Sequence, residues 1–139
     1  MSVPSAADIT NMGFGYQMFG RESASDLNLS IKAMIAEHGA LLSGRIGATA
    51  YASTTEPTST YVKRAIKSLV AADLCQIRIN RLAQEVKLED GTDATKMRRQ
   101  RKDYLDEAEL MINKIEATAS NSNDFAVGTV ITSHFDEDA

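Results

Sequence analysis

An all-α fold is predicted for this chain: a three-helix domain of long antiparallel helices, with an extended N-terminal arm and a strand-like C-terminal tail. Three observations predict it. Apolar residues recur at three- and four-residue steps through three separate segments, the spacing that lines up one face of a helix. Only 2 prolines occur in 139 residues, and proline is the strongest helix breaker. Alternation of the strand type is confined to residues 124–135. The expected boundaries are 1–24 for the arm, 25–119 for the helical domain and 120–139 for the tail.

The first 24 residues hold Gly13, Gly15 and Gly20 among scattered Met, Phe and Tyr. No periodicity organises them, so they read as an arm. Phe14, Tyr16 and Phe19 make it more aromatic than a solvated tail needs, which points to an arm that docks or to a flexible leader.

The first helix is expected after Ser25, whose hydroxyl suits the free N–H groups of a first turn, with Asp26 at the positive end of the dipole. Leu27, Ile31, Met34, Ile35, His38, Leu41 and Leu42 form its apolar stripe. Ser43-Gly44 is the expected stop. Residues 47–59, rich in Ala, Thr, Ser and Gly with Pro57, read as a loop.

The second helix starts at Thr58 or Ser59 and runs to about Ala83, burying Val62, Ile66, Leu69, Val70, Leu74 and Ile77. Lys63, Lys67, Arg78 and Arg81 fall on an adjacent strip. Residues 84–95 are polar and acidic, with Asp90-Gly91 as a turn. The third helix, about Ala94 to Ala119, aligns Met97, Tyr104, Leu105, Ala108, Met111, Ile112 and Ile115 on one face.

After Ser120-Asn121-Ser122-Asn123 the pattern changes to period two, with Phe125, Val127, Thr129, Ile131 and Phe135 on one side. A lone strand needs a neighbour for its backbone groups. An all-helical domain offers no sheet, so the tail is expected to add itself to a neighbouring subunit or another partner. Asp124 and Asp136–Asp138 would guard it against self-aggregation.

Charge narrows the function classes. Net charge is −4 and the sequence pI about 5.1, which disfavours a protein whose whole surface grips nucleic acid. The charge is uneven: residues 58–83 carry five basic residues and one acid, whereas 120–139 carry four acids and no base. One cysteine, Cys75, leaves no internal disulfide framework and points to a reducing compartment. No secretory leader or membrane span is expected, since the longest strictly apolar run is Leu69–Ala72. An intracellular, soluble protein with no membrane partner is the expectation.

Catalysis finds little support. His38 lies in the apolar stripe of the first helix and reads as a packed core or interface histidine. His134 has no obvious partner, and Cys75 reads as a small buried hydrophobe. No phosphate loop, Cys-x-x-Cys pair or spaced histidines occur, so no enzyme, cofactor or metal site is expected. Asp73 projects from the apolar side of the second helix, where a carboxylate needs a donor to avoid several kcal/mol of desolvation. Arg45, at the end of the first helix stripe, is its expected partner in a structural ion pair.

Lys96, Arg98, Arg99, Arg101 and Lys102 put five cations in seven positions. Arg99–Asp103 and Lys102–Asp106 have the i,i+4 spacing that lets a helix neutralise itself. A solvated face is one reading of these cations. Contact of Lys63, Lys67, Arg78, Arg81, Arg98, Arg99 and Lys102 with a neighbour or with DNA phosphates is the other. A small helical DNA-binding protein using these basic faces is therefore the alternative, although no recognition helix follows a tight turn. Helices of about 25 residues are about 37 Å long, more than the roughly 32 Å breadth of a compact 95-residue domain. Elongated helices with two arms suggest a surface completed by neighbouring subunits.

Residues 26–119 carry a resemblance. A first helix ending Leu41-Leu42-Ser43-Gly44-Arg45, a second reading Val62-Lys63-Arg64-Ala65-Ile66 and then Ala72-Asp73-Leu74, and a third with Tyr104, Ala108, Met111 and Ile112 follow in order. In these the chain resembles the small helical head–tail adaptor (connector, head-completion) proteins of tailed bacteriophages, particularly their Mu-like branch. The resemblance implies a virion protein, assembled in the host cytoplasm, that forms a homo-oligomeric ring of commonly twelve copies at the phage neck. Such a ring binds the portal, meets tail or stopper and terminator proteins, and lets packaged double-stranded DNA pass without sequence readout. The tail residues Phe125, Val127, Thr129, Ile131 and Phe135 would then engage the portal or a neighbour. The glycine- and aromatic-rich arm and the length of 124–135 depart from the family pattern.

Overall fold

The computed structural model of the chain describes residues 3–84 and 92–131. It is helical, with no strand among the described residues. In order these are α1 (Ala6–Thr10), a 3₁₀ turn (Tyr16–Phe19), α2 (Ala24–Ile46), α3 (Ala48–Tyr51), α4 (Thr58–Gln84) and α5 (Thr92–Ile131).

Helix α4 is the spine. Arg64 Nη2 donates to Glu107 Oε2 at 2.6 Å, and Lys114 Nζ sits 5.5 Å from the centre of the Tyr61 ring. The numbering rises on one helix as it falls on the other, so α4 and α5 run antiparallel. Helix α2 lies against α4 and contributes Leu27, Ile31, Ile35 and Leu42 to the core. From α4 come Val62, Ala65, Ile66, Val70, Ala71, Leu74 and Cys75, and from α5 Met111, Ile112 and Ile115. The small Ala65, Ala71 and Ala72 faces let neighbouring elements approach α4 from more than one side, which suits a helix packed between two others. The stripes are close to those expected, with one clear exception. Leu41 is 64 % exposed, because Leu42, one position along, already takes the inward direction.

Helix ends depart from expectation by a few residues. The cap of α2 is Ser23, not Ser25: its backbone is extended, and its Oγ accepts from the Asp26 N–H at 3.2 Å. Ser43-Gly44 does not stop α2. Gly44 stays helical, and the chain turns at Gly47, whose φ of 94° lies in the region that glycine tolerates. The short α3 falls inside the stretch expected as loop, and α5 begins at Thr92 rather than about Ala94. The Asp90-Gly91 turn lies outside the described residues.

The N-terminal residues fold back onto the helices. Ser5 and Asp8 cap α1 reciprocally, at 2.9 and 3.1 Å. Ile9, Phe14 and Phe19 are buried in the main core. The Phe14 ring centre is 6.1 Å from that of Phe19 and 6.4 Å from that of Tyr104, both tilted. The aromatic residues of the expected arm thus find their partner within the chain. Hydrophobic burial of three large side chains outweighs the absence of helical periodicity in this segment.

The tail also differs. Residues 120–131 continue α5 as helix, where an extended strand was expected. Ser and Asn at 120–123 are weak helix formers but not breakers. A helix already nucleated by a packed stretch adds a hydrogen bond with each further residue, whereas an isolated strand gains none. Phe125, Val127, Thr129 and Ile131 therefore belong to helix, while His134 and Phe135 lie outside the described residues.

Candidate interaction surface

Three groups of polar side chains stand out, and the structure sorts them differently from the sequence. The first is the contact of α2 with α4. His38 Nε2 and Asp73 Oδ2 are 2.6 Å apart, with side-chain exposures of 16 % and 44 %. Asp73 meets His38 and not Arg45. His38 sits between Ile35 and Leu42 on the α2 face turned to α4, whereas Arg45 lies two turns further on and turns towards α5. There its Nη2 and Nη1 donate to Glu109 at 2.7 and 3.1 Å, and its Nε lies 3.5 Å from Glu116. Glu109 and Glu116 are seven residues apart, one repeat of a helix face, and that spacing was a signal in the sequence for a shared cation. The Arg45 guanidinium holds the Glu109 carboxyl below the usual carboxylate range.

The second group is the basic strip of α4. Lys63 Nζ lies 3.6 Å from Asp8 Oδ2, and Arg78 Nη1 donates to the Met18 carbonyl at 2.9 Å. The Arg81 guanidinium packs beneath Gly20, where a Cβ would collide with it and where φ is 67°. Three of the four cations expected on a neighbour- or genome-facing strip thus contact the chain's own N-terminal segment. Lys67 is half-buried. The turns of the N-terminal segment are held by its own backbone hydrogen bonds, such as Asn11 N–H to the Ala7 carbonyl at 2.9 Å and Met18 N–H to the Gly15 carbonyl at 3.1 Å, and Arg78 and Lys63 tie the segment to α4. Phe19, Ile77, Asn80 and Arg81 line an open cleft of about 210 Å³ beside this clamp.

The third group is the outer face of α5. Arg98, Arg99 and Lys102 are exposed. Lys102 reaches Asp106 at 2.8 Å, the expected i,i+4 pair. Arg101 is half-buried. Ala108, Met111, Ile112 and Ile115 mark the opposite, buried side of the helix.

Cys75 is fully buried, and burial pushes its thiol up to about 11. That environment suits packing and suppresses the thiolate needed for chemistry. Burial likewise raises Tyr104 and Tyr51. Among the described residues no group of three His, Cys, Asp or Glu side chains is placed to hold a metal ion, and no helix is long and apolar enough to cross a membrane. No protein-family model, curated protein or solved structure matches the chain.

Proposed function

We propose that the chain is a structural virion protein of the head–tail adaptor type, which assembles as a homo-oligomeric ring beneath the portal at the neck of a tailed bacteriophage. The observation that carries this reading is that the quoted sequence pieces fall in one helical body. Leu41–Arg45 ends the α2 stripe, Val62–Ile66 and Ala72–Leu74 lie on the spine α4, and Tyr104, Ala108, Met111 and Ile112 face it from α5. Support also comes from the proportions of the hairpin. Helix α5 has 40 residues against 27 in α4, a difference of about 20 Å at 1.5 Å per residue. A helix that outruns its intramolecular partner offers surface to other subunits.

In this reading the protein is not an enzyme. It works by shape and by many weak contacts, binding the portal on one side and tail or stopper proteins on the other, around a lumen that passes duplex DNA of any sequence. Twelve copies would match a portal of twelve. Negative-stain electron microscopy of the purified protein, alone and mixed with the portal of the same phage, tests it. Rings or portal-bound particles support the reading, and a protein that neither self-associates nor binds the portal refutes it.

The exposed Arg98 and Arg99 favour one second reading, a small helical protein that binds duplex DNA through its basic faces. Phosphate contacts make such binding fall steeply with salt. Fluorescence anisotropy with unrelated duplexes across a salt series separates the two readings.

A further inference from the structure

Helix α2 is apolar on two sides. Ile31, Ile35 and Leu42 belong to the core. Half a turn away the opposite side is made of Leu29, Ala33, Ala36 and Ala40, all exposed. Leu29 is 66 % exposed. The helix carries four Asp, Glu, Lys or Arg residues in 23 positions, a sparser load than the six in 27 of α4, which is packed between two helices. A helix that is apolar all round is one that is buried all round, yet the outer side of α2 is exposed.

Spacing and charge complementarity identify what fits it. Leu29, Ala33, Ala36 and Ala40 follow at steps of four, three and four, the seam spacing of a two-stranded coiled coil. Lys32 and Glu37, both exposed, stand on opposite flanks of that seam, in the two positions that set partner choice and orientation. They are five residues apart, about 7.5 Å along the axis, a stagger that long side chains bridge between two helices but not around the girth of one. Symmetry then fixes the direction. In an antiparallel pair like flanks meet, and Lys32 lies along a flank that holds no acid. In a parallel, in-register pair unlike flanks meet, and Lys32 of each copy reaches Glu37 of the other.

We propose that α2 of one copy packs parallel and in register on α2 of a second copy, with Leu29 against Leu29 and Lys32 against Glu37. The contact is isologous and closes at two copies. It therefore concerns the free protein and does not rest on the ring reading. The alanines let the two axes approach to about 8 Å. Asp26, the next seam position towards the N-terminus, meets its own counterpart, and that like-charge contact keeps the pair weak.

Sedimentation velocity and oxidative cross-linking of the full chain test it, with circular dichroism to confirm that each variant keeps its helices. The unmodified protein is expected to dimerise with rising concentration. Leu29→Glu should weaken dimerisation about tenfold or more, and Lys32→Glu and Glu37→Lys should each weaken it. Lys32→Glu/Glu37→Lys in one chain, or an equimolar mixture of the two single variants, should recover it, because both Lys–Glu contacts are then restored. Ala40→Cys should cross-link to its own counterpart, since an antiparallel pair of these seams sets Ala40 beside Leu29 instead. Cys75 is buried and stays out of that reaction. A protein that is monomeric at every concentration, dimerisation indifferent to Leu29→Glu, or a charge-swapped chain that does not recover overturns the contact, and portal binding decides the ring reading separately. Portal binding by a monomeric protein that Leu29→Glu abolishes would assign this face to the portal instead.

Discussion

His38 Nε2 and Asp73 Oδ2 lie 2.6 Å apart and tie the middle of α2 to the middle of α4. The contact is the polar rivet of an otherwise apolar interface formed by Ile31, Ile35, Leu42, Ile66, Val70 and Leu74.

That pairing is measurable by double-mutant cycles. Asp73→Asn should cost about 1 kcal/mol, the usual worth of a hydrogen bond reduced by the exposure of the carboxylate. In a cycle with His38→Gln the two changes should show coupling, whereas Asp73→Asn with Arg45→Ala should be additive. Urea unfolding reads both. Coupling of Asp73 to Arg45 instead would show the wrong pair of side chains in contact.

Arg45 and Glu109 give the acid side of the stability curve. The folded-state pKa of Glu109 is lowered by its hydrogen bonds from Arg45, from a reference of 4.5. Stability from this pair is therefore present above that reference and is lost as pH falls through the lower folded value. Both side chains are about half exposed, so the effect should be under about 1 kcal/mol. Glu109→Gln should flatten the decline of unfolding free energy below pH of about 4.5.

Cys75 gives the alkaline side. Its thiol stands at about 11 in the folded chain against a reference of 9.0. A raised folded pKa means that stability is fully present below pH 9 and is lost as pH rises towards 11, by on the order of 2–3 kcal/mol for two units. Tyr104, raised by burial beside it, acts in the same direction. Cys75→Ala should show a shallower alkaline decline than the unmodified protein. An aromatic disulfide reagent at neutral pH should label Cys75 only when the chain is unfolded, and rapid labelling of the native protein would contradict its burial.

Two glycines at the end of α2 should respond with opposite signs. Gly44 is helical, and a Cβ there meets nothing. Gly44→Ala should therefore stabilise the protein by about 0.5–1 kcal/mol. Gly47 has φ 94°, so Gly47→Ala should destabilise by about 1–2 kcal/mol. Thermal unfolding midpoints moving in the same direction for both would show that α2 ends elsewhere.

Phe14 measures whether the N-terminal residues belong to the folded domain. It is 5 % exposed between Phe19 and Tyr104. Phe14→Ala should cost about 3–5 kcal/mol in global stability. Gly20→Ala should cost about 1–2 kcal/mol through its left-handed backbone and its contact with Arg81. A Phe14→Ala protein with an unchanged midpoint would restore the picture of a separate arm.

Periodicity by itself determined the three long helices and most of their inward faces. Ile31, Ile66, Val70, Met111 and Ile115 recur at steps that only a helix turns to one side, and that arithmetic needs no neighbour. The same arithmetic identified Lys102–Asp106, because both ends of an i,i+4 pair lie on one helix. Tertiary structure alone decided the rest. Whether Asp73 meets His38 or Arg45 depends on the rotation of α2 against α4 and on the presence of Glu109 and Glu116 across from Arg45. Whether Lys63, Arg78 and Arg81 face outward depends on the N-terminal segment, which has no periodicity and is placed by the burial of Ile9, Phe14 and Phe19. Whether residues 120–131 are helix or strand depends on the packed helix before them, since cooperativity extends a helix through residues that would not start one. Local spacing sets what an element is, while long-range packing and charge set what each side chain touches.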